Sequence, residues 1–236
     1  MNHPGVYTAN AASMWSSLDQ PIAAPAGVLG VAARGGSRYL IQRPPTLQAV
    51  AALLDAIPPA GRVVVENPYG LPQVSIPAVM TARRMPVMNR PADPATPVTR
   101  AGVTVLQVTD AHTLADAERV IIDGFPLPHL QPWVPGQALP PLVLKLPGWR
   151  IWLAHRHGRP AAAGYTYDDG AAVGVYWLAT LPEHRSAGVG KALMTAMLAA
   201  HPGRTATLVA TAAGVPLYAG LAFSVVSTAT WYTRAA

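Results

Sequence analysis

The run PEHRSAGVGKAL, Pro182 to Leu193, sets two glycines and a lysine close together, a grouping that lets backbone amides and a cation approach a phosphate. Three phosphate chemistries use such a grouping. In the nucleotide-binding loop GxxxxGK followed by Ser or Thr, amides cradle the phosphates, the lysine reaches them and the hydroxyl holds magnesium. Counted back from Gly190 and Lys191, the first glycine position holds Arg185 and the hydroxyl position holds Ala192, so two of four requirements fail. The dinucleotide fingerprint GxGxxG fails as well, because Leu193 stands where its third glycine belongs. The third chemistry needs only a strand, a tight loop and a helix. A strand ending at Leu181-Pro182 and a helix opening near Val189 would aim the amides of about Ser186 to Ala192 at one anion, with the helix macrodipole adding to the attraction. Three or four charge-assisted amide bonds of about 1.5–3 kcal/mol each would hold a pyrophosphate. A glycine-rich turn that merely joins strand to helix has the same spacing.

Those residues need a frame, and the chain from Gly102 onward reads as one. GVTVLQVTD alternates as a strand, and Thr113 to Phe125 reads as a helix with Leu114, Ala117, Val120 and Ile121 on one face. A Pro-rich stretch, 126–147, follows. WRIWLAHRHGRPAAAGYTYDDGAAVGVYWLATL then reads as three strands joined by turns at His157-Gly158-Arg159 and Asp168-Asp169-Gly170. After the glycine loop come a helix over Val189 to Ala200, the strand TATLVATA, a short helix in GVPLYAGLAF and the last strand SVVSTATWYT. That order predicts an α+β fold with a mixed sheet.

Upstream, NRPADPATPVTRAG, Asn89 to Gly102, has linker composition. Before it, Thr46 caps a helical pattern of Leu47, Val50, Ala51, Leu54 and Ile57. RVVVE is a buried-strand candidate, and VSIPAVM and MPVMN are Pro-interrupted strands suited to a sheet edge. Residues 1 to 45 are rich in Ala, Gly and Pro with little periodicity, so partial order is expected there.

Composition excludes several classes. No cysteine is present, which removes disulfides, thiolate metal sites and a cysteine nucleophile; no metal site is assigned. The formal charge of +6 is almost wholly arginine, since Lys145 and Lys191 are the only lysines, and the arginines are dispersed. No basic tract supports nucleic-acid binding; a mildly basic surface favours anionic small molecules, although a coding bias toward Ala, Pro, Gly and Arg produces the same composition. No basic leader precedes an apolar core, and IAAPAGVLGVAA is split by Pro25 and too short to span a bilayer, so a soluble cytoplasmic protein is expected.

LATLPEHRSAGVGKAL resembles motif A of the GNAT (Gcn5-related) N-acetyltransferases, whose signature R/Q-x-x-G-x-G/A is filled by Arg185, Gly188 and Gly190. About twenty residues on, TLVATAAGVPLYAGLAF resembles the family's motif B, a strand followed by a tyrosine-bearing helix with an aromatic at Phe223. The resemblance covers about Thr99 to Ala236 and implies a GNAT domain over 98–236, with splayed central strands flanked by helices. It implies acetyl-coenzyme A as the cofactor, its pyrophosphate met by Ser186, Ala187, Gly188, Val189, Gly190 and Lys191, with Arg185 as the motif's first residue. A bulged strand at Leu178, Ala179 and Thr180 opposite Val209 to Thr211 would admit pantetheine. An amide near Ala179 would polarise the thioester carbonyl, and Tyr218 would protonate the departing thiolate. Thr211 departs from the asparagine common in motif B, and Ala222 from the glycine that usually precedes the aromatic.

Many family members place a glutamate on the strand before the loop, but AAVGVYWLAT carries no carboxylate. Asp168, Asp169, Tyr176 and His129 are nearby candidates, each also readable as a turn, packing or surface residue, and no base is assigned. An α-amino group of pKa about 7.7–8.0 is on the order of a tenth neutral at pH 7, a lysine-like amine below one part in a thousand. The missing carboxylate therefore points to a low-pKa amine acceptor: a peptide N-terminus, an amino acid or an amino-sugar amine. Among the tryptophans, only Trp133 is kept as a lining candidate for that acceptor. A non-catalytic acyl-coenzyme A sensor is the rival. Residues 1–97 look like an N-terminal extension of some bacterial acetyltransferases, a degenerate half or a lid; a structural or homodimer-forming role is equally open.

Overall fold

The computed structural model describes residues 3–32, 36–58, 60–70, 75–125 and 127–235. These form two compact units, Met1–Asn89 with Thr207–Ala236 and Arg90–Ala206.

In the first unit, residues 1–45 are more ordered than their composition implies. They form helix α1 (Gly5–Leu18) and strands β1 (Gln20–Ile22), β2 (Val28–Ala32) and β3 (Ser37–Ile41). The buried stripe of α1 is Tyr7, Ala11 and Met14, at i, i+4, i+7 spacing, with Thr8 and Asn10 beside it. Alanines on every side hide that stripe in the sequence. Helix α2 (Leu47–Ala56) begins as expected, the Thr46 hydroxyl accepting from Ala49 N at 3.1 Å. It buries Val50, Leu53 and Leu54, whereas Leu47 is 45% exposed.

RVVVE becomes β4 (Val63–Asn67), buried at all five positions, parallel to β3 and antiparallel to the last strand. That strand, β11 (Ser224–Arg234), also pairs with β5 (Thr81–Arg90). Within this unit the order is β1-β2-β3-β4-β11-β5, mixed because of the one parallel pair. MPVMN lies in β5 but not at an edge: β11 covers one side, and on the other Pro86 O accepts from Ala210 N at 2.8 Å. The proline is tolerated because its carbonyl still bonds. Residues 75–80 contain no strand, and Val74 of the expected VSIPAVM strand lies outside the described residues. Tyr39, Ile41, Val50, Leu54, Val65 and Tyr232 share the core. The compact units divide the chain differently from the expected 1–97 and 98–236, because β11 hydrogen-bonds to β4 and β5 along its length.

The second unit opens on Pro91–Arg100, which has no regular structure yet is tied down: Val98 N donates to Thr195 Oγ1 at 2.9 Å. Then come β6 (Val103–Val108), α3 (Ala111–Gly124), β7 (Trp149–Arg156), β8 (Arg159–Asp168), β9 (Ala172–Thr180) and α4 (Val189–Ala199). The helix α3 begins two residues earlier than its apolar pattern indicates, because Asp110 caps it, accepting from His112 N and Thr113 N. The meander is as expected, antiparallel in the order β9-β8-β7-β6. Ala161 to Tyr167 on β8 are buried without a break, so both faces of this sheet are covered. Met197 of α4 lies against Gly164 on one face, and Gly124 of α3 against Ala179, the partner of Ala163, on the other. Strand β10 (Thr205–Val209) runs across the boundary of the two units, and α5 (Val215–Ala219) follows it in the first. Among the described residues no helix is long and apolar enough to cross a membrane.

Candidate functional site

The strand before the glycine loop carries a bulge. β8 and β9 pair as far as Tyr165 and Tyr176, slip, and resume at Ala163 and Ala179, so Trp177 and Leu178 oppose Gly164 alone. Trp177 takes the left-handed conformation, φ 50°, which an aromatic residue adopts only when its surroundings require it. A Cβ on Gly164 would stand 2.9 Å from Leu178 Cα and 3.2 Å from its nitrogen, so glycine is needed for the bulge to close. The backbone of Trp177 and Leu178 is thereby turned out of the regular ladder, which Ala179 and Thr180 rejoin.

Beyond Thr180 the chain makes a 3-10 turn, Pro182–His184, and reaches α4 through Ser186 at φ 60° and Gly188 at φ 78°. The first backbone bond closing α4 is Ala192 N to Gly188 O at 3.0 Å. Among the described residues, the N–H groups of Ser186, Ala187, Gly188, Val189, Gly190 and Lys191 make no hydrogen bond. A helix leaves its first N–H groups open in any case; here the left-handed residues extend the open run two residues ahead of Gly188, where an anion would meet several donors together. Lys191 is half-buried in the first turn and forms no ion pair with a described residue.

Arg185 is used differently from the rest of the motif. Its Nε donates to Thr180 O and its Nη2 to Gly124 O, both at 3.1 Å, joining the start of the loop to the end of β9 and the last turn of α3. Gly124 is needed there, because a Cβ would stand 2.8 Å from Ala179 Cβ. A cation not flagged by any motif lies over the loop: Arg100 Nε is 2.9 Å from the point a Cβ on Gly188 would occupy. The bond from Val98 N to Thr195 Oγ1 lays the preceding segment along α4 and so delivers Arg100 to the start of that helix.

Thr211 and Tyr218 belong to the first unit. Thr211 O accepts from Gly214 N and Val215 N, opening α5. Tyr218 is buried and packs edge-on against Phe223, ring centroids 5.9 Å apart. Gly214 makes room for its ring, since a Cβ there would be 2.8 Å from Tyr218 Cε2. Burial pushes the Tyr218 hydroxyl up to about 12, so it is a protonated phenol at neutral pH. Ala222, where the family usually has glycine, takes φ 64°, a conformation glycine would adopt freely.

Three of the four nearby base candidates are committed elsewhere. Asp168 accepts from Gly170 N, Arg204 and His201, and Asp169 from Ala171 N and Ala172 N. Tyr176 is stacked on Tyr165, and burial above all, with the charge of Tyr165 next, raises it well above an ordinary phenol, so it is no base at neutral pH. His129 is exposed on the 3-10 turn Pro128–Leu130. Among the described residues no three His, Asp or Glu side chains converge to hold a metal.

Sequence patterns give no sign of Gly124, Arg100 or Gly214, because each is set by a side-chain or tertiary contact rather than by periodicity. For Gly164 alone there was a signal, a glycine interrupting a strand pattern.

Residues 147–225 match the model of the acetyltransferase (GNAT) domain. No curated protein matches the chain significantly. Among solved structures, it is similar to a GCN5-related N-acetyltransferase from Kribbella flavida, 19% identical, covering 97% of this chain and 94% of that one with a TM-score of 0.65. It is also similar to a protein assigned to the GNAT family from Novosphingobium aromaticivorans, 20% identical over 99% of both chains with a TM-score of 0.62. A GCN5-related N-acetyltransferase from Sphaerobacter thermophilus, 14% identical, covers 94% of this chain and 83% of its own with a TM-score of 0.57. At these identities the likeness is one of fold. Residues 147–225 thus carry the match to a GNAT acetyltransferase domain, and the chain shares the fold of these GNAT structures.

Proposed function

We propose that the protein is an acetyl-coenzyme A-dependent N-acetyltransferase acting on a low-pKa amine by direct attack. The observation that carries the reading is the run of unbonded amides from Ser186 to Lys191, at the start of α4 and just after a bulged strand. These donors, with Lys191 and Arg100 as cations, fit a pyrophosphate; the bulged end of β9, from Leu178 to Thr180, fits the amides of pantetheine. Thr211 is the further residue that the resemblance adds to the cofactor's contacts. When bound, acetyl-coenzyme A supplies an acyl group on a thioester.

The amide near Ala179 polarises that carbonyl, the neutral amine forms the new C–N bond, the C–S bond breaks, and the sulfur takes a proton from Tyr218 as the nitrogen gives one up to solvent. With Asp168 and Asp169 bound up in turns and Tyr176 held neutral, none of these three is free to deprotonate a lysine-like amine. Such an amine would need roughly 4–5 kcal/mol of help, an α-amine about 1 kcal/mol. The acceptor class follows: a peptide N-terminus, an amino acid or an amino-sugar amine.

The commitment of Asp168, Asp169 and Tyr176, together with a Tyr218 hydroxyl pushed up to about 12, favours the second reading, a non-catalytic acyl-coenzyme A sensor. Both readings require the pyrophosphate grip. Titration of the protein with acetyl-coenzyme A and with S-acetyl-N-acetylcysteamine, which lacks the pyrophosphate, tests it while amide shifts are followed. The expected result is a preference for acetyl-coenzyme A of about a hundredfold or more, with the largest shifts at Ser186 to Lys191. Equal affinity, or shifts elsewhere, would refute the grip.

A further inference from the structure

The segment 91–100 has no helix or strand of its own, yet it is fixed near both ends. At its start the buried Arg90 guanidinium donates to the carbonyl oxygens of Pro91, Asp93 and Pro94, at 3.1, 2.7 and 3.2 Å. Near its end Val98 N donates to Thr195 Oγ1 at 2.9 Å, and that buried hydroxyl donates in turn to its own helix, 3.0 Å from Lys191 O and 3.1 Å from Ala192 O. Prolines at 91, 94 and 97 restrict the backbone between the two ties, and Val103 N on Arg100 O then turns the chain into β6. The segment meets α4 at Thr195 and, about two turns earlier, at Gly188. It is a stiff strap laid along that helix.

What the strap delivers is Arg100. Its Cγ, Cδ and Nε stand 3.6, 3.5 and 2.9 Å from the point a Cβ on Gly188 would occupy, so the stem lies along the glycine turn. The residue is exposed, and its guanidinium makes no hydrogen bond or ion pair with a described residue. Arg185, the motif's own arginine, is by contrast spent on two carbonyls. Arg100 also precedes residues 147–225, the stretch that matches the domain model, so the motif does not supply this cation.

An arginine held by its stem and open at its fork suits a planar, bidentate contact with a terminal phosphate. A phosphomonoester offers three terminal oxygens and a charge of about −1.5 to −2 at neutral pH. Coenzyme A carries one such group, on its ribose 3′ oxygen, a single ribose away from the pyrophosphate that the amides of Ser186 to Lys191 suit. We infer that Arg100, beyond the charge it adds to the grip, contacts the ribose 3′-phosphate of acetyl-coenzyme A, and that Thr195 is a positioning residue which holds it there through Val98. Together they select coenzyme A thioesters over those of carriers that lack the 3′-phosphate. The inference rests on the coenzyme A reading above and names the carrier that the acyl donor must have.

The test measures, by calorimetry on the full-length protein, the Kd of acetyl-coenzyme A and of acetyl-dephospho-coenzyme A, which keeps the pyrophosphate and lacks the 3′-phosphate. Wild type is expected to prefer acetyl-coenzyme A by about tenfold or more. In Arg100→Ala that preference should collapse, with affinity for the dephospho compound within about threefold of wild type. Thr195→Val keeps the branched shape and removes the hydroxyl. It should lower the preference about threefold or more and quicken hydrogen exchange at Val98 N. Arg100→Ala, at an exposed position, serves alone if Thr195→Val does not fold. Equal affinity of wild type for the two ligands, or an Arg100→Ala loss that is the same for both, overturns this inference alone. Faster exchange at Val98 with the wild-type preference intact overturns the positioning role of Thr195. A wild type that binds neither ligand overturns the inference together with the coenzyme A reading.

Discussion

Arg185 Nη2 donates to the carbonyl oxygen of Gly124 at 3.1 Å, so the first residue of the R-x-x-G-x-G turn is a tie between the loop and α3. With Nε on Thr180 O, the guanidinium holds three elements in register and its charge is spent on carbonyls. Substitution by lysine keeps the charge and loses the fork. Arg185→Lys should therefore weaken acetyl-coenzyme A binding about as much as Arg185→Ala, roughly tenfold, through a loosened loop. Calorimetric titration of both variants checks this; full recovery of affinity in the lysine variant would show that charge on the ligand, not the tie, matters.

Gly188 provides the left-handed residue that turns the open amides together, and it makes room for Arg100. Gly188→Ala is expected to cost about 1–2 kcal/mol of stability from the positive φ alone. Its Cβ would also push Arg100 aside, because the Arg100 Nε stands 2.9 Å from that point. Cofactor affinity should fall further than in Arg100→Ala, which keeps the turn. Thermal melts and titration of both variants give the ranking; a Gly188→Ala protein binding as well as Arg100→Ala would refute it.

Tyr218 is the acid that the motif B resemblance implies, yet burial pushes it up to about 12. Against a thiol near 8.5, proton transfer is uphill unless the bound thiolate is itself destabilised. Its contribution should therefore lie near the low end for acid catalysis: Tyr218→Phe is expected to lower kcat about a hundredfold, with the coenzyme A Kd within about twofold. Stopped-flow coenzyme A release and calorimetry separate the two quantities. The raised value also affects stability. The unfolded phenol ionises near 10, so the contribution of Tyr218 is complete below pH 10 and is lost as the pH rises toward 12.

His201 links the end of α4 to the meander, its Nε2 3.0 Å from Thr166 Oγ1 and its Nδ1 3.4 Å from Asp168 Oδ2. Burial first, and the charge of Arg150 second, hold the imidazole below its usual range, with Asp168 offsetting part of the shift. The folded state therefore keeps His201 neutral where the unfolded chain, near 6.5, takes up a proton. Its contribution is complete above that value and is lost as the pH falls through the folded one. The melting temperature should drop below about pH 6.5 in wild type and much less steeply in His201→Asn. Equal slopes in the two proteins would exclude this histidine as the cause.

How much of this was legible in the sequence depended on the range of the interactions. The meander, α4 and the short helix bearing Tyr218 follow from local periodicity and turn residues, and the structure has them where those signals stand. The glycine loop was legible for the same reason. The bulge is different: only the resemblance put one near Leu178, because its position depends on Gly164 meeting Leu178 across a strand pair, a contact that local periodicity does not reveal. Glu118 reads as one more polar position on an amphipathic helix, because the four N–H groups that donate to its buried carboxylate lie 15 to 21 residues away. Helix α1 escaped notice because its stripe of Tyr7, Ala11 and Met14 is set among small residues of both faces. The Pro-interrupted β5 was expected at an edge because proline lacks a donor, but Pro86 contributes its carbonyl instead.

The most direct test of the central claim is release of coenzyme A from acetyl-coenzyme A in the presence of a panel of α-amines, amino sugars and lysine side-chain amines at neutral pH. The account predicts turnover of a low-pKa amine at a rate well above that of any lysine side chain, abolished together with cofactor binding when the Ser186 to Lys191 loop is disrupted. Faster turnover of lysine side chains would contradict the acceptor class. No turnover of any amine, with acetyl-coenzyme A still bound, would leave the sensor in place of the enzyme.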